Sequence, residues 1–327
     1  MDKVRVGFIG VGGMAEHHIR MVKQIEHAEL VAVHDINAER SAHIGRTYEA
    51  EVFASSQELI DSGKVDALFI CTPPFAREEL EETAAAKGIH LFVEKPVGLE
   101  LDRARAKWKA IQQSGVIHSS GYCLRYLASV QKAKQYIEGK QVNMVLAHRI
   151  NDIPPLAWWT DLRRSGGHMV DTATHQVDLV RYIAGEFVEA RAIYAQRSIR
   201  DRVPNATIPD VGVVQFTMAS GAIGSLANSC VSRHFGRGDI EVYGPDYYVS
   251  IDWHGVKIYD DEQKVEEQCD TDFYLEQDRT FIEAVRTGRQ DLVLGGYDDA
   301  VRTLAATLAF NQSAETGETV ILHGEKV

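Results

Sequence analysis

Val4-Arg5-Val6-Gly7-Phe8-Ile9-Gly10-Val11-Gly12-Gly13-Met14-Ala15 lies near the N-terminus, and the reading of its glycines decides the fold. Val4 to Ile9 is apolar and β-rich, the run stops at the glycines, and Glu16 to Lys23 reads as a helix. A second apolar run, Leu30 to Val33, ends at His34-Asp35. Strand, glycine turn, helix, strand and acid, in that order, describe a dinucleotide-binding unit. Gly10 permits the tight turn, Gly12 lets the backbone approach a pyrophosphate, and the helix that follows Gly13 and Met14 presents free N–H groups and the positive end of its dipole. Asp35 is placed to accept hydrogen bonds from an adenosine ribose, and its charge would repel the 2'-phosphate of NADP. NAD is therefore favoured over NADP. Arg40 is the one neighbour that could turn toward a 2'-phosphate or else remain a solvated surface charge. The competing reading of the turn, that it serves helix packing alone, is weakened by the strand, helix and acid around it.

The alternation continues outward. Ser56 to Ser62 reads as a helix, Val65 to Cys71 as a buried strand, Ala76 to Lys87 as a helix, His90 to Val93 as a strand, and Leu101 to Ser114 as a helix leading to Val116 to Ser119. Such alternation predicts a doubly wound parallel sheet, which binds ligands at the carboxyl ends of its strands. Two of those ends stand out. Cys71-Thr72-Pro73-Pro74 is a proline-stiffened turn, and Glu94-Lys95-Pro96 holds a lysine whose direction the proline restricts. Thr72, Pro73, Glu94 and Lys95 join Gly10, Gly12, Gly13, Met14 and Asp35 as candidate cofactor contacts.

The 327 residues are enough for two domains with separate cores, at roughly 100 to 200 residues each. With 35 Lys+Arg against 47 Asp+Glu the net charge is -12, so the bulk field repels phosphate backbones and anionic membranes. Neither nucleic acid nor a membrane is an expected partner. Cys71, Cys123, Cys230 and Cys269 are scattered, with no CxxC pair, which suits a reducing cytoplasm better than a disulfide framework. No stretch approaches the ~18 apolar residues of a membrane span.

Between Gly167 and Gly185, Met169, Val170, Ala173, Val177, Val180 and Ile183 recur at helical spacing, with His168, Asp171, His175 and Asp178 as a polar stripe beside them. On one continuous helix Asp171 reaches His175 one turn on. A carboxylate that orients an imidazole suits general base work. The same pair could simply satisfy itself on a half-buried face. A zinc site from His168, Asp171 and His175 lacks a clear further ligand, so no metal is expected.

These stretches together resemble the glucose-fructose oxidoreductase, inositol dehydrogenase and MocA (Gfo/Idh/MocA) family. VGFIGVGGMA (6–15), CTPP (71–74), VEKP (93–96), SGGHMVDTATHQVDLVRYIAGE (165–186) and the closing FIEAVRTGRQ and DDAVRTLAATLAFNQSAETGETV carry the resemblance, in order along almost the whole chain. It implies an NAD-binding Rossmann domain over 1–121 and a substrate-binding and oligomerisation domain over 122–327 with a large, mostly antiparallel open sheet. It implies homodimers or homotetramers and a dehydrogenase acting on the CH–OH group of a sugar, cyclitol or related polyol. Lys95, Asp171 and His175 match the family's catalytic Lys, Asp and His. Similar segments in the family line the substrate site at Tyr122 and Arg125. Trp158, ahead of Arg163 and Arg164, could stack on a sugar ring, and His168 either contacts substrate or caps its helix. Two positions depart from the common pattern: Arg77 where many relatives carry His, and His168 where Gly is frequent. An NAD-dependent glycosidase and a non-catalytic nucleotide-binding regulator are the alternatives, though a regulator would be expected to lack the three reacting groups.

Val188 to Gln196, Val211 to Ala219, Ala222 to Ser229, Asp239 to Tyr243, Tyr247 to Ile251 and Gly255 to Tyr259 are strand-like runs suited to an antiparallel sheet. Arg197 to Pro209, polar and with two prolines, reads as a loop.

Overall fold

The computed structural model describes residues 3–322. Its first compact unit is built from β1 (Val4–Ile9), α1 (Gly13–Val22), β2 (Ala28–His34), α2 (Ala38–Tyr48), β3 (Glu51–Val52), α3 (Ser56–Asp61), β4 (Ala67–Ile70), α4 (Leu80–Ala86), β5 (His90–Val93), α5 (Leu101–Ser114) and β6 (His118–Ser120). The six strands run parallel in the order β3-β2-β1-β4-β5-β6. The order reverses between β1 and β4, the place where a doubly wound sheet leaves a crevice for ligand. Strand interiors such as Ala67–Ile70 are buried throughout, as expected of a sheet covered on both faces.

Two helix starts differ from the sequence reading. The first helix begins at Gly13 instead of Glu16, because Gly12 already serves as its N-cap. The helix expected from Ala76 begins at Leu80, after a 3-10 turn over Pro74–Ala76. Arg77 turns into the interior there, and Glu78 takes a left-handed conformation at φ 40°, which breaks the helix.

The second unit holds α6 (Ala128–Ile137), β7 (Met144–Ile150), α7 (Leu162–Ser165), α8 (Gly167–Asp171), α9 (Thr174–Ala184), β8 (Phe187–Ala195), α10 (Ile199–Arg202), β9 (Val211–Met218), β10 (Ile223–Ser229), β11 (Ile240–Tyr243), β12 (Tyr248–Ile251), β13 (Gly255–Tyr259) and β14 (Lys264–Gln268). Its nine strands follow the order β14-β13-β12-β11-β7-β10-β9-β8-β15, where β15 is Val320–Ile321. Among the described residues only the β7–β10 pair of this sheet is parallel. Alternating residues such as Val145, Val214, Leu226, Val242 and Val249 are buried, and α6 and α9 pack on that side of the sheet. The 197–209 loop contains the short α10, whose start is tied down by Asp210: its carboxylate accepts the N–H groups of Arg197, Ser198 and Ile199 at 2.8, 2.6 and 2.6 Å.

Along the chain between β14 and β15 come α11 (Phe273–Thr287) and α12 (Tyr297–Thr316). A cut after Gly121 separates the nucleotide-binding motifs from the rest of the sequence, but the packing units interleave: residues up to Tyr126 pack with Asp272–Val301, and Leu127–Thr271 with the segment from Arg302 on. The reason lies in the core of the first unit. Phe8, Phe69 and Phe92 are register partners on β1, β4 and β5 and stack at 4.7 and 4.5 Å between centroids. Phe281 of α11 meets Phe69 and Phe92 edge-on at 5.5 and 5.7 Å, so α11 covers aromatic surface that this sheet would otherwise expose.

Candidate active site

The glycine turn is held in a form that leaves it open. Gly10 sits at φ +80°, where a side chain would be strained, and a Cβ there would lie 2.8 Å from the Thr72 methyl and 3.0 Å from the Thr72 nitrogen. Gly12 caps α1 without any side-chain hydrogen bond, and nothing lies within 4 Å of where a Gly13 Cβ would stand. The first N–H groups of α1 thus face open space with the positive end of the helix dipole behind them. The Thr72 hydroxyl beside this turn is buried and has no hydrogen-bond partner among the described residues. Asp35, also buried, accepts the Val11 N–H at 2.8 Å through one oxygen and the Asn37 N–H at 2.8 Å through the other. It therefore braces the turn, and the oxygen that accepts the Asn37 N–H keeps a second lone pair for a ribose hydroxyl. Arg40 Nη1 stands 3.4 Å from Asp35 Oδ2, so it is turned toward the carboxylate and is not a wholly solvated charge. An open turn, a helix start with no side-chain cap, an orphan hydroxyl and a buried carboxylate together fit a dinucleotide.

At the next strand ends, Arg77 is 1% exposed and joins two loops. Its Nε and Nη2 donate to the Thr72 carbonyl at 3.1 and 3.0 Å, and Nη1 donates to the Pro96 carbonyl at 2.7 Å. One guanidinium thus fixes the CTPP turn against the EKP turn. The Lys95–Pro96 peptide is cis. Glu94 points inward: one carboxylate oxygen accepts the Lys95 N–H at 3.0 Å, and the other meets His18 Nε2 at 3.0 Å. His18, on α1 and fully buried, reaches Asp278 of α11 through Nδ1 at 2.8 Å. Burial opposes charge on this ring, but the two carboxylates outweigh it and raise its pKa to about 10. Burial likewise works against charge on Glu94, yet the His18 hydrogen bond and charge, with Lys95 and Arg77, hold its carboxyl below the ordinary range. Burial lifts the Asp278 carboxyl, with His18 opposing. The trio is an imidazolium between two acids, and the directions for His18 and Glu94 agree on that state.

In the second unit, the single helix expected from Gly167 to Gly185 is two. The His168 carbonyl accepts both the Thr172 N–H at 2.9 Å and the Ala173 N–H at 2.8 Å, and the second of these spans five residues. That widened turn ends α8 at Asp171 and restarts the chain as α9 at Thr174. Asp171 and His175 are consequently end and beginning of two helices, not neighbours on one uniform face. Asp171 Oδ1 accepts the Trp159 indole N–H at 2.6 Å and the Thr172 hydroxyl at 3.0 Å. Trp159 is itself wholly buried in a small core with Ile199, Ala206, Ile208 and Cys230. Asp178, last of the polar stripe, is buried and accepts the Thr303 hydroxyl at 3.0 Å.

Residues 4–122 match the family model of the Gfo/Idh/MocA oxidoreductases, NAD-binding Rossmann fold, and residues 130–248 match the Gfo/Idh/MocA C-terminal domain, between them well over half the chain. The chain belongs to this family. A myo-inositol 2-dehydrogenase from Thermotoga maritima is 28% identical over 98% of this chain and 98% of its own length. A scyllo-inositol 2-dehydrogenase (NAD(+)) from Bacillus subtilis is 27% identical over 56% of this chain and 54% of its own. The crystal structure of a myo-inositol 2-dehydrogenase from Lactobacillus plantarum superposes with a TM-score of 0.84 at 25% identity, covering 98% of this chain and 100% of that one.

As a Gfo/Idh/MocA member the protein is an oxidoreductase whose first domain is an NAD-binding Rossmann domain, and NAD is its cofactor. Within the first unit, Met14 is exposed beside the open turn, and Pro73 precedes the 3-10 turn of the CTPP segment. Tyr122 and Arg125 are both buried; Arg125 Nη1 donates to the Leu294 carbonyl at 2.5 Å and pairs with Asp299 at 3.0 Å. Trp158 is half-buried against the Trp159 core. His168 is 2% exposed and receives the Asn228 amide at 2.8 Å on Nδ1 while Nε2 meets Asn151 Oδ1 at 2.9 Å. Burial, with Arg149, lowers its pKa to about 3, so the ring is neutral and a substrate would have to displace one of these bonds to reach it. Sequence reasoning missed Arg77 as a clasp, the His18–Asp278 link and the Trp159 donor. Arg77 had a signal, as a departure from the family pattern; His18 and Asp278 stand 260 positions apart and had none. Among the described residues no group of three or more His, Cys, Asp or Glu could hold a metal ion, and the four cysteines are unlinked. No described helix is long and apolar enough to cross a membrane.

Proposed function

We propose that this protein oxidises a secondary hydroxyl of a sugar, cyclitol or related polyol, with residues 1–121 holding NAD and 122–327 contacting substrate. The observation that carries the reading is the Asp171 carboxylate, fixed by the Trp159 N–H and the Thr172 hydroxyl at the break from which the helix of His175 starts. A fixed carboxylate there orients an imidazole and favours its charged form. His175 accepts the proton of the substrate hydroxyl. Lys95 stabilises the oxygen as charge develops on it, and Asp171 keeps the His175 ring in the accepting tautomer. NAD, when bound, supplies the hydride acceptor. Gly10, Gly12, Gly13, Met14, Asp35, Thr72 and Pro73 hold it, while Glu94 anchors the Lys95 backbone from below. Asp35 sets the preference for NAD over NADP. The names of the relatives, inositol dehydrogenases among them, support the substrate class. The protein works in the cytoplasm as a homodimer or homotetramer, with four free thiols suited to a reducing compartment.

The test is a panel of cyclitols, aldoses, anhydrosugars and aryl glycosides with NAD. Growth of NADH absorbance on a polyol is expected, and Lys95→Ala and His175→Ala should each lower kcat by about 10² to 10⁴. Undiminished turnover in either variant removes the assigned roles. Phenol release without NADH growth identifies a glycosidase, and nucleotide binding with neither product identifies a regulator.

A further inference from the structure

The second unit has a groove of about 960 Å³ that none of the roles above uses. Its lining includes Thr160 and Asp161, which follow in the chain directly after the Trp159 that bonds Asp171. Its walls are braced. The Thr207 N–H donates to the Thr160 carbonyl at 2.9 Å and the Leu162 N–H donates to the Thr207 hydroxyl at 2.8 Å, which zips the 160–162 and 205–207 segments together. The core of Trp159, Ile199, Ala206 and Ile208 lies beneath them. Such a site is largely formed before ligand arrives, which lowers the ordering cost of binding.

Its charge runs against that of the chain. Arg163, Arg164, Arg202 and Arg233 line the groove against Asp161 and Asp201, in a protein whose net charge is -12. Arg202 is committed to Asp152. Asp161 Oδ1 accepts the Arg163 N–H at 3.0 Å as the cap of α7 and lies 3.7 Å from Arg163 Nε. Arg233 has no ion-pair partner among the described residues. Guanidinium groups gathered in one concavity match the geometry of phosphate oxygens and their multiple charge, more than a single carboxylate offers. The volume is at the upper end of ligand sites, ~300 to 1,000 Å³, and exceeds what one sugar ring fills.

We propose that this groove takes the phosphoryl group of the substrate, so that the natural polyol is a phosphorylated sugar, either a phosphate monoester or a nucleoside diphosphate sugar. The proposal rests on the polyol-dehydrogenase reading for the reacting end and adds Arg163, Arg164 and Arg233 as specificity residues for the distal end.

Two measurements separate the two ideas. In the first, hexoses, their 6-phosphates and the corresponding nucleoside diphosphate hexoses are compared with NAD in the wild type, in an Arg164→Gln/Arg233→Gln double variant, and in Arg289→Gln, a charge control on an exposed pair in the first unit. A phosphorylated substrate should have at least tenfold higher kcat/KM than its neutral parent, falling at least tenfold in the double variant and not in the control. Preference for the diphosphate or for the monoester identifies the source, and either supports the groove. Equal kcat/KM for phosphorylated and neutral forms, or a preference that survives the double variant, overturns it. In the second, inorganic pyrophosphate is titrated calorimetrically into the same three proteins, which needs no turnover. If no sugar is oxidised, the dehydrogenase reading fails on its own. The groove still stands if pyrophosphate binds and the double variant weakens it tenfold, and falls if wild type and double variant bind alike or not at all.

Discussion

Trp159 is the residue on which the acid of the second unit depends, since its indole is buried and its N–H lies 2.6 Å from Asp171. A hydrogen bond to a charged group contributes about 1.5 to 3 kcal/mol. Trp159→Phe, which keeps most of the ring, should therefore lower kcat by roughly 10- to 100-fold and move the pH profile of kcat, while a purely packing role would leave that profile in place. His18 makes a second prediction. Its folded pKa of about 10 lies above the ordinary 6.5, so the stability it contributes is fully present below pH 6.5 and is lost as pH rises through 10. Unfolding free energy measured with denaturant from pH 7 to 10 should fall more steeply in the wild type than in His18→Asn; equal slopes would show that the ring is not charged in the fold. His168 works in the opposite sense: its folded value of about 3 gives stability that is present above pH 6.5 and lost as pH falls toward 3. Unfolding measured from pH 7 down to 4 checks this, with His168→Gln expected to flatten the slope.

At the scale of elements, the loops at the strand ends are set by side chains arriving from elsewhere. Arg77 binds the Thr72 and Pro96 carbonyls at once. Arg77→Met should free both turns, raise KM for NAD several-fold more than it lowers kcat, and cost about 1.5 to 3 kcal/mol of stability; thermal melts and steady-state kinetics read the two effects separately. Elements carried by local pattern were legible in the sequence. β1 and α5 appear over the expected residues because an apolar run into glycine and an amphipathic helix ending at Gly115 are short-range signals. The break between α8 and α9 was not legible, since Met169, Val170, Ala173, Val177 and Val180 are all buried on both sides of it. A widened turn shifts the helix face without changing which residues are apolar. Strand β7, Met144–Ile150, went unread because only Val145 and Ala147 are fully buried in it, and His148-Arg149 interrupt the apolar run.

For the whole molecule, the glycine turn could be found by reading along the chain, whereas the composition of the first packing unit could not. Its Phe8–Phe69–Phe92 ladder is completed by Phe281, and its buried His18 by Asp278, both on α11. A chain ending at Tyr126 should accordingly expose aromatic surface and fail to melt cooperatively, while residues 1–126 joined by a linker to 272–301 should regain a cooperative transition; circular dichroism on the two fragments decides. Recombination feels the same constraint. A single crossover near residue 121 between two family genes would hand the offspring a foreign α11 to lay on its native aromatic ladder, so viable hybrids must exchange the Asp272–Val301 segment together with the N-terminal stretch, and inheritance of this fold favours double crossovers.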